Sequence, residues 1–240
     1  MNNTIVIIPT VNEKKNIEIL FNKLTETNIE FDLLFIDDNS NDGSQELIIN
    51  LAKKNQNIYY IFRLKKMGIG SAHKEGLTWS YKKNYKIIIT MDGDRTHDPK
   101  YIKYLTEKLK NFDIVVTNRF LEKNSLDDWP LFRIFLTKLR HLVISLLLSL
   151  PYDSSGALRC IYCRTVVLSD LILAKRDGYE YFWESIFILH KKKYRIGQIP
   201  IHLPFRIYGS SKMIMKDIFF SIYYLIVVFL KKILGKYNFK

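Results

Sequence analysis

The sequence predicts a Rossmann-like α/β fold, with a mostly parallel central sheet and helices on both faces. Three observations favour it. Short apolar runs rich in β-branched residues recur through the first 120 residues. The segments between them have helical periodicity and are long enough for crossover helices between parallel strands. Segments that contain acidic residues follow three of the runs, where open parallel sheets bind their ligands.

Five strands and four helices are predicted in this part of the chain. The expected strands are residues 4–8, 33–36, 58–62, 87–91 and 114–117. The expected helices are residues 13–26, 44–54, 71–83 and 99–109. Their alternation is typical of a doubly wound sheet.

Two apolar segments distinguish the second half. Residues 131–150 are almost continuously apolar but include Arg133, Lys138, Arg140 and His141, and residues 218–230 form a thirteen-residue apolar run. Thirteen helical residues cover about 20 Å, less than the roughly 30 Å of a bilayer core. Neither segment is a convincing span, so we expect interfacial or re-entrant helices that lie at or insert into the membrane. The predicted units are a catalytic domain of residues 1–212, including the apolar helix 131–150, and a membrane-associated tail of residues 213–240.

Composition and charge restrict the class of protein. The 48% hydrophobic content excludes a disordered chain, and a net charge of +13 favours an anionic partner: a nucleotide, a nucleic acid or acidic lipid. Cys160 and Cys163 form a C-x-x-C pair without the second pair of a common zinc site. No basic and apolar leader opens the chain, so we expect the catalytic domain on the cytosolic side.

The acidic strand ends suggest specific chemistry. Asp92 and Asp94 flank Gly93, and such a carboxylate pair can hold Mg²⁺ or Mn²⁺ on diphosphate oxygens. Asp37 and Asp38 end another strand, where carboxylates accept hydrogen bonds from a base or ribose. Gly68 begins a glycine loop that allows close backbone approach. Each motif alone is also compatible with an ordinary turn or helix cap.

Taken together and in order, these segments resemble family 2 glycosyltransferases, most of all the dolichol-phosphate mannose synthases among them. The resemblance extends over roughly residues 4–215. The matching segments are Pro9-Thr10-Val11-Asn12-Glu13, Asp37-Asp38-Asn39-Ser40-Asn41-Asp42-Gly43, Gly68-Ile69-Gly70-Ser71-Ala72, Met91-Asp92-Gly93-Asp94-Arg95-Thr96-His97-Asp98-Pro99, Thr117-Asn118-Arg119-Phe120, Trp129-Pro130-Leu131-Phe132-Arg133, Asp153-Ser154-Ser155-Gly156-Ala157-Leu158-Arg159, Gly178-Tyr179-Glu180 and Arg206-Ile207-Tyr208-Gly209-Ser210-Ser211-Lys212.

The resemblance implies a GT-A fold and transfer of mannose from GDP-mannose to dolichyl or polyprenyl phosphate. The reaction is expected to be inverting, to depend on Mg²⁺ or Mn²⁺ and to occur at a membrane. The implied catalytic residues are Asp92, Asp94 and Arg119, and the implied metal ligands are Asp92, Asp94 and Thr96. The implied acceptor-phosphate ligands are Arg119, Arg133 and Thr137, with Asp153, Ser155 and Arg159 organising that side. The implied donor-binding residues are Pro9, Asn12, Glu13, Asp37, Asp38, Gly68, Asp92, Arg206 and Lys212.

Three positions depart from the family pattern. Val11 stands where the family usually has an aromatic residue, Gly93 where it has alanine and Arg95 where it has an apolar residue. These departures affect the identity of the donor more than the fold.

A phosphate acceptor explains why no dedicated base is needed, because a phosphate monoester is already anionic near neutral pH. The alternatives are transfer of glucose from UDP-glucose to a polyprenyl phosphate, or transfer of a sugar to a glycan hydroxyl. A hydroxyl acceptor needs a base, and Glu180 is the candidate. A basic nucleic-acid-binding protein conflicts with the acidic strand ends, which repel phosphates. A structural membrane scaffold would bind neither metal nor nucleotide sugar.

Overall fold

The computed structural model describes residues 2–204 and 215–237. One seven-stranded sheet organises the molecule, in the order β3-β2-β1-β4-β6-β5-β7. The strands are β1 (Thr4–Thr10), β2 (Asp32–Asp37), β3 (Ile58–Phe62), β4 (Ile87–Thr90), β5 (Ile114–Asn118), β6 (Arg159–Tyr162) and β7 (Ile196–Pro200). The helices are α1 (Lys14–Thr25), α2 (Ser44–Lys54), α3 (Ile69–Lys82), α4 (Tyr101–Leu109), α5 (Leu131–Leu148), α6 (Leu168–Leu171), α7 (Glu180–Lys191) and α8 (Met215–Ile233).

The sheet is parallel except at β6. That strand lies between β4 and β5 and is antiparallel to both, with Ile89 opposite Cys160 and Val115 also opposite Cys160. β5 then pairs in parallel with β7. The mostly parallel sheet predicted from the sequence is confirmed, and its first five strands were located correctly. The sequence prediction did not include β6 or β7, so it missed that β5 is separated from β4.

The helices cover both faces of the sheet, as predicted. Alternate residues of β1 contribute to two separate cores: Val6 and Ile8 pack with α1, α2 and α4, whereas Ile5 and Ile7 pack with α3 and α7. Because both faces are covered, every residue of β2 is buried. This explains why the strands are continuous apolar runs rather than alternating ones.

Two helices expose apolar surface. α5 and α8 contact each other, and Lys232 near the end of α8 donates hydrogen bonds to Leu147 O and Ser149 Oγ, both at 2.8 Å. The inner side of α8 buries Tyr224, Leu225 and Val228. Within the two described ranges, no helix combines the length and apolarity that a bilayer crossing requires.

Candidate active site

The carboxyl ends of β1, β2 and β4 meet at one edge of the sheet. The register sets Thr10 beside Asp37 and Ile7 beside Thr90, so the residues that follow these strands are close neighbours. This edge is where a doubly wound sheet binds its ligand. The three acidic segments selected from the sequence are therefore brought together.

Asp37 organises the loop after β2. Its side chain is fully buried and accepts hydrogen bonds from Thr10 Oγ1 at 3.0 Å, Ser40 N at 2.8 Å, Ser40 Oγ at 2.5 Å and Gln45 Nε2 at 2.8 Å. Four donors on two carboxylate oxygens compensate for removing the charge from water. Asp37 thus fixes the edge of the predicted nucleotide pocket, and its contact with a nucleotide stays a prediction.

The β1–α1 loop is joined to the β2–α2 loop. Asn12 adopts a left-handed backbone with φ of 51°, which asparagine tolerates better than most residues. Its backbone N–H donates to Ser40 Oγ at 2.7 Å, and its side-chain oxygen Oδ1 accepts a hydrogen bond from Asn41 N at 2.9 Å. Glu13 is buried and accepts a hydrogen bond from Asn16 Nδ2 at 2.5 Å. Pro9 precedes this loop within β1.

Asp38 holds the glycine loop together with Arg63, which was not among the residues predicted from the sequence. The two side chains form a buried ion pair, and Asp38 Oδ2 also accepts from the amides of Met67 and Gly68 at 3.3 Å each. Arg63 donates to Gly68 O at 3.2 Å and Ser71 Oγ at 2.9 Å. Arg63 directly follows β3, and this position at a strand end is the feature of the sequence that could have identified it.

Asp92 and Asp94 lie on a turn pressed against the end of β1. A Cβ at Gly93 would lie 3.1 Å from Thr10 Cγ2 and 3.2 Å from Pro9 O, so glycine permits this close approach. Asp94 Oδ1 accepts hydrogen bonds from Thr96 N at 3.1 Å and Thr96 Oγ1 at 2.6 Å. Thr96, predicted as a metal ligand, therefore orients Asp94 here.

The donor set of this turn fits a hard divalent cation. Carboxylate oxygens are ligands of Mg²⁺ and Mn²⁺, and such ions usually take one or two protein carboxylates with water and substrate phosphates. In residues 2–204 and 215–237, no three His, Cys, Asp or Glu side chains form a metal-holding group. An ion held by Asp92 and Asp94 would therefore take its other ligands from water, hydroxyl or the diphosphate.

His97 lies between the acidic turn and a basic cluster. Its burial, together with the positive charge of Arg119, lowers its pKa to about 4 despite the opposing influence of Asp94. The ring is therefore neutral at pH 7. Its Nδ1 accepts a hydrogen bond from Asp92 N at 3.2 Å, which fixes the backbone that carries the first carboxylate. His97 was not selected from the sequence.

The basic cluster is built around Asp153. Arg119 Nε donates to Asp153 Oδ2 at 2.6 Å, and Ser155 donates to Asp153 Oδ1 from N at 3.3 Å and from Oγ at 3.1 Å. Burial disfavours the charged carboxylate, but the nearby Arg119 guanidinium outweighs it and lowers the pKa of Asp153. Arg119, predicted to bind the acceptor phosphate, is thereby held in place.

α5 brings further candidates to the same place. The guanidinium of Arg133 stacks on Trp129, with Cζ 4.2 Å from the ring centre, and Thr137 is buried. Arg140 Nη2 donates to Ser155 Oγ at 3.1 Å. From the sequence, Arg140 was recognised only as a charge in an apolar segment. The spacing of 133, 137 and 140 by four and three residues, which places them on one helix face, was the signal for it.

Arg159 connects this cluster to α7. Its buried guanidinium donates to Gly156 O at 2.9 Å, Ser154 O at 3.0 Å, Phe182 O at 2.6 Å and Ser185 Oγ at 2.8 Å. Burial lowers its pKa to about 10, so the group remains charged at neutral pH. Arg159 therefore fixes the segment that carries Asp153 and Ser155.

The remaining predicted residues lie elsewhere. Arg206 and Lys212, expected to contact the donor phosphates, fall outside the described residues. Glu180 is buried at the start of α7, and burial raises its pKa. It lines a cavity of about 330 Å³ together with Arg176, Asp177 and Asp217.

Comparisons with known proteins identify the family of this chain. The Glycosyl transferase family 2 model matches residues 5–165. Undecaprenyl-phosphate mannosyltransferase of Micrococcus luteus is 27% identical over 87% of this chain and 86% of its own length. Polyprenol monophosphomannose synthase of Mycolicibacterium smegmatis is 25% identical over 88% and 80%. Dolichol-phosphate mannosyltransferase of Pyrococcus furiosus is 28% identical over 89% of this chain and 60% of its own length.

Solved structures share the fold. Glucosyl-3-phosphoglycerate synthase of Mycobacterium tuberculosis, crystallised with Mn²⁺, UDP and glucosyl-3-phosphoglycerate, has a TM-score of 0.65 at 15% identity and covers 98% of this chain and 81% of its own. TarS of S. aureus with UDP-GlcNAc has a TM-score of 0.60 at 15% identity, covering 95% and 66%. The fold is therefore GT-A, and the chain belongs to glycosyltransferase family 2 and is a glycosyltransferase.

Proposed function

We propose that the enzyme transfers mannose from GDP-mannose to a dolichyl or polyprenyl phosphate at the cytosolic face of a membrane. The names of the three curated relatives support this, because each acts in mannosyl transfer involving undecaprenyl phosphate, polyprenol or dolichol phosphate. The geometry of α5 supports a lipid phosphate as acceptor independently of those names.

The observation that carries the proposal is the two-sided character of α5. Arg133, Thr137 and Arg140 share one helix face, which adjoins Arg119 and Ser155. The opposite side exposes a continuous apolar surface. Its exposed residues are Leu131, Phe132, Phe135, Leu136, Leu139, Leu142, Val143 and Leu146. A phosphate bound on the first face would lie one helix diameter, about 10 Å, from an apolar surface. A phosphate attached to a long hydrocarbon matches that arrangement.

The same surface supports association with a membrane. α8 adds exposed apolar residues, among them Phe219, Tyr223, Ile226 and Leu230, and the exposed lysines Lys231 and Lys236 follow them. Exposed apolar residues combined with lysines favour binding in the interface of an acidic membrane. We therefore keep residues 1–212 as the catalytic domain and residues 213–240 as a membrane-associated tail.

The donor side is proposed to bind the nucleotide along the loops of Asn12, Asp37, Asp38 and Gly68. Asp92 and Asp94 would hold Mg²⁺ or Mn²⁺, which supplies positive charge for the departing diphosphate. The presence of Mn²⁺ in a GT-A structure of the same fold supports a divalent ion. Arg206 and Lys212 are proposed to contact the donor phosphates.

The chain's own residues can support the transfer without a general base. An oxygen of the acceptor phosphate, already anionic, attacks the anomeric carbon as the bond to the diphosphate breaks on the opposite side, which inverts that carbon. Arg119 and Arg133 position the phosphate and offset its charge. Because the attacking phosphate oxygen carries no proton, buried Glu180 is not needed as a general base in this reaction.

The proposal is tested by a transfer assay in detergent. GDP-mannose and UDP-glucose are each paired with dolichyl phosphate, undecaprenyl phosphate and, as a control, the alcohol without phosphate. We expect mannosyl transfer to the phosphates alone, and loss of activity with EDTA that Mg²⁺ or Mn²⁺ restores. Activity that survives EDTA would contradict the metal site.

The Glu180→Gln variant separates phosphate from hydroxyl acceptors. We expect it to retain most of its transfer to a polyprenyl phosphate. A near-complete loss of turnover with intact donor binding would instead indicate a base and a hydroxyl acceptor. Preferred use of UDP-glucose would show that the fold is right and the donor assignment wrong.

A further inference from the structure

Arg119 and Arg140 meet beside one buried carboxylate, that of Asp153. Arg119 and Arg140 both donate to Ser155 Oγ, at 3.4 and 3.1 Å. Ser155 Oγ in turn donates to Asp153 Oδ1 at 3.1 Å. Arg133 adds a third positive charge near enough to influence Arg140. Arg119, Arg133 and Arg140 together with Asp153 carry a net charge of about +2, and Arg159 adds a further positive charge next to Asp153. The cluster therefore attracts an anion such as a phosphate monoester, which carries roughly −1.5 to −2 at pH 7.

Asp153 attracts Arg140, but within the described part of the chain it forms no hydrogen bond with it. Both oxygens of the carboxylate are engaged, one by Arg119 and the other by Ser155. Among the residues that the structure describes, Arg140 forms no ion pair with a carboxylate. Its surroundings lower its pKa to about 10, first through burial by neighbouring atoms and then through the charge of Arg119. Arg140 therefore stays charged at neutral pH beside a like charge.

Asp153 offsets part of the repulsion between Arg119 and Arg140, and a second anion between their guanidinium groups would offset more of it. Because both guanidinium groups donate to Ser155 Oγ, they lie close together, and their remaining N–H groups can bind one ligand. Arg140 is exposed to solvent, so a ligand can reach it. A phosphate with several acceptor oxygens matches two guanidinium groups better than one carboxylate would.

We propose that Arg140 is a third ligand of the acceptor phosphate, paired with Arg119 through Ser155, in addition to the predicted Arg119, Arg133 and Thr137. The inference rests on the proposed function, because it takes a phosphate monoester as the acceptor. In this role Arg140 binds and orients the acceptor phosphate and does not bind the nucleotide sugar.

The test compares Arg140→Met and Arg140→Lys with wild type in detergent, with undecaprenyl phosphate as acceptor. Losing a charged hydrogen-bond donor should raise the acceptor KM by about tenfold or more in Arg140→Met. The acceptor KM of Arg140→Lys should lie between those of wild type and Arg140→Met, because lysine keeps the charge but not the planar pair of donors. The donor KM and the melting temperature should remain close to wild type in both.

The matched control is Lys138→Met, which removes a positive charge from an exposed position of the same helix. It should leave both KM values unchanged. An unchanged acceptor KM in Arg140→Met, or an equal rise of both KM values with a lower melting temperature, would overturn the inference. If wild type itself transfers no sugar to any polyprenyl phosphate, the proposed function fails instead.

Discussion

His73 offers a test of the packing between α3 and α7. Its side chain is 1% exposed, and within the described part of the chain neither ring nitrogen has a hydrogen-bond partner. The ring lies 5.9 Å from Tyr181 in a stacked arrangement and 5.2 Å from Phe182 edge to face. The histidine therefore packs as an aromatic residue, and we expect phenylalanine to fit in its place.

The pH dependence follows from its pKa. Burial, reinforced by the charge of Arg159, lowers the pKa of His73 from 6.5 to about 3. Below pH 6.5 the unfolded chain binds a proton that the folded protein excludes, so folding loses stability as the pH falls. Each pH unit costs about 1.36 kcal/mol, so His73 should cost about 2 kcal/mol at pH 5. Phenylalanine does not titrate and avoids this cost.

The measurement is urea unfolding of wild type and His73→Phe, followed by circular dichroism at pH 7.5 and pH 5. Other groups also titrate, but their effects cancel in the difference between the two proteins. The variant should gain about 2 kcal/mol relative to wild type on going from pH 7.5 to pH 5. The exposed His202→Gln variant is the control for removing a histidine and should keep the wild-type profile. If the free energy of unfolding of His73→Phe differs from that of wild type by the same amount at pH 7.5 and at pH 5, the reasoning is refuted.

Two further substitutions test other contacts. A Cβ at Gly70 would lie 2.5 Å from Tyr181 Cβ and 2.8 Å from Gly178 O, so Gly70→Ala should destabilise the protein by about 2 kcal/mol in urea unfolding. At Gly156 the nearest atom would be 3.5 Å away, so Gly156→Ala should cost little and serves as its control. Tyr224 donates to buried Glu184 Oε1 at 2.6 Å, so Tyr224→Phe should cost about 1.5 kcal/mol and speed proteolysis at α8. An unchanged proteolysis rate would argue against this anchor of α8.

Local patterns in the sequence were sufficient for much of the fold. The strands β1 to β5 are apolar runs bounded by polar residues, and the helices between them have a recognisable period. Asp37 and Asp92 follow such runs directly. Because parallel strands end at one edge of the sheet, their meeting could be predicted without coordinates.

The pairing of distant segments was decided by the tertiary structure. β6 has four residues, too few for a periodic pattern, yet its insertion between β4 and β5 determines where residues 153–159 lie. The contacts of Asp153 with Arg119 and of Ser155 with Arg140 depend on that insertion. No local pattern encodes them, because they join segments far apart along the chain. The sequence by itself therefore determined the strand-end carboxylates, while only the three-dimensional packing determined that Arg119 and Arg140 meet at Ser155.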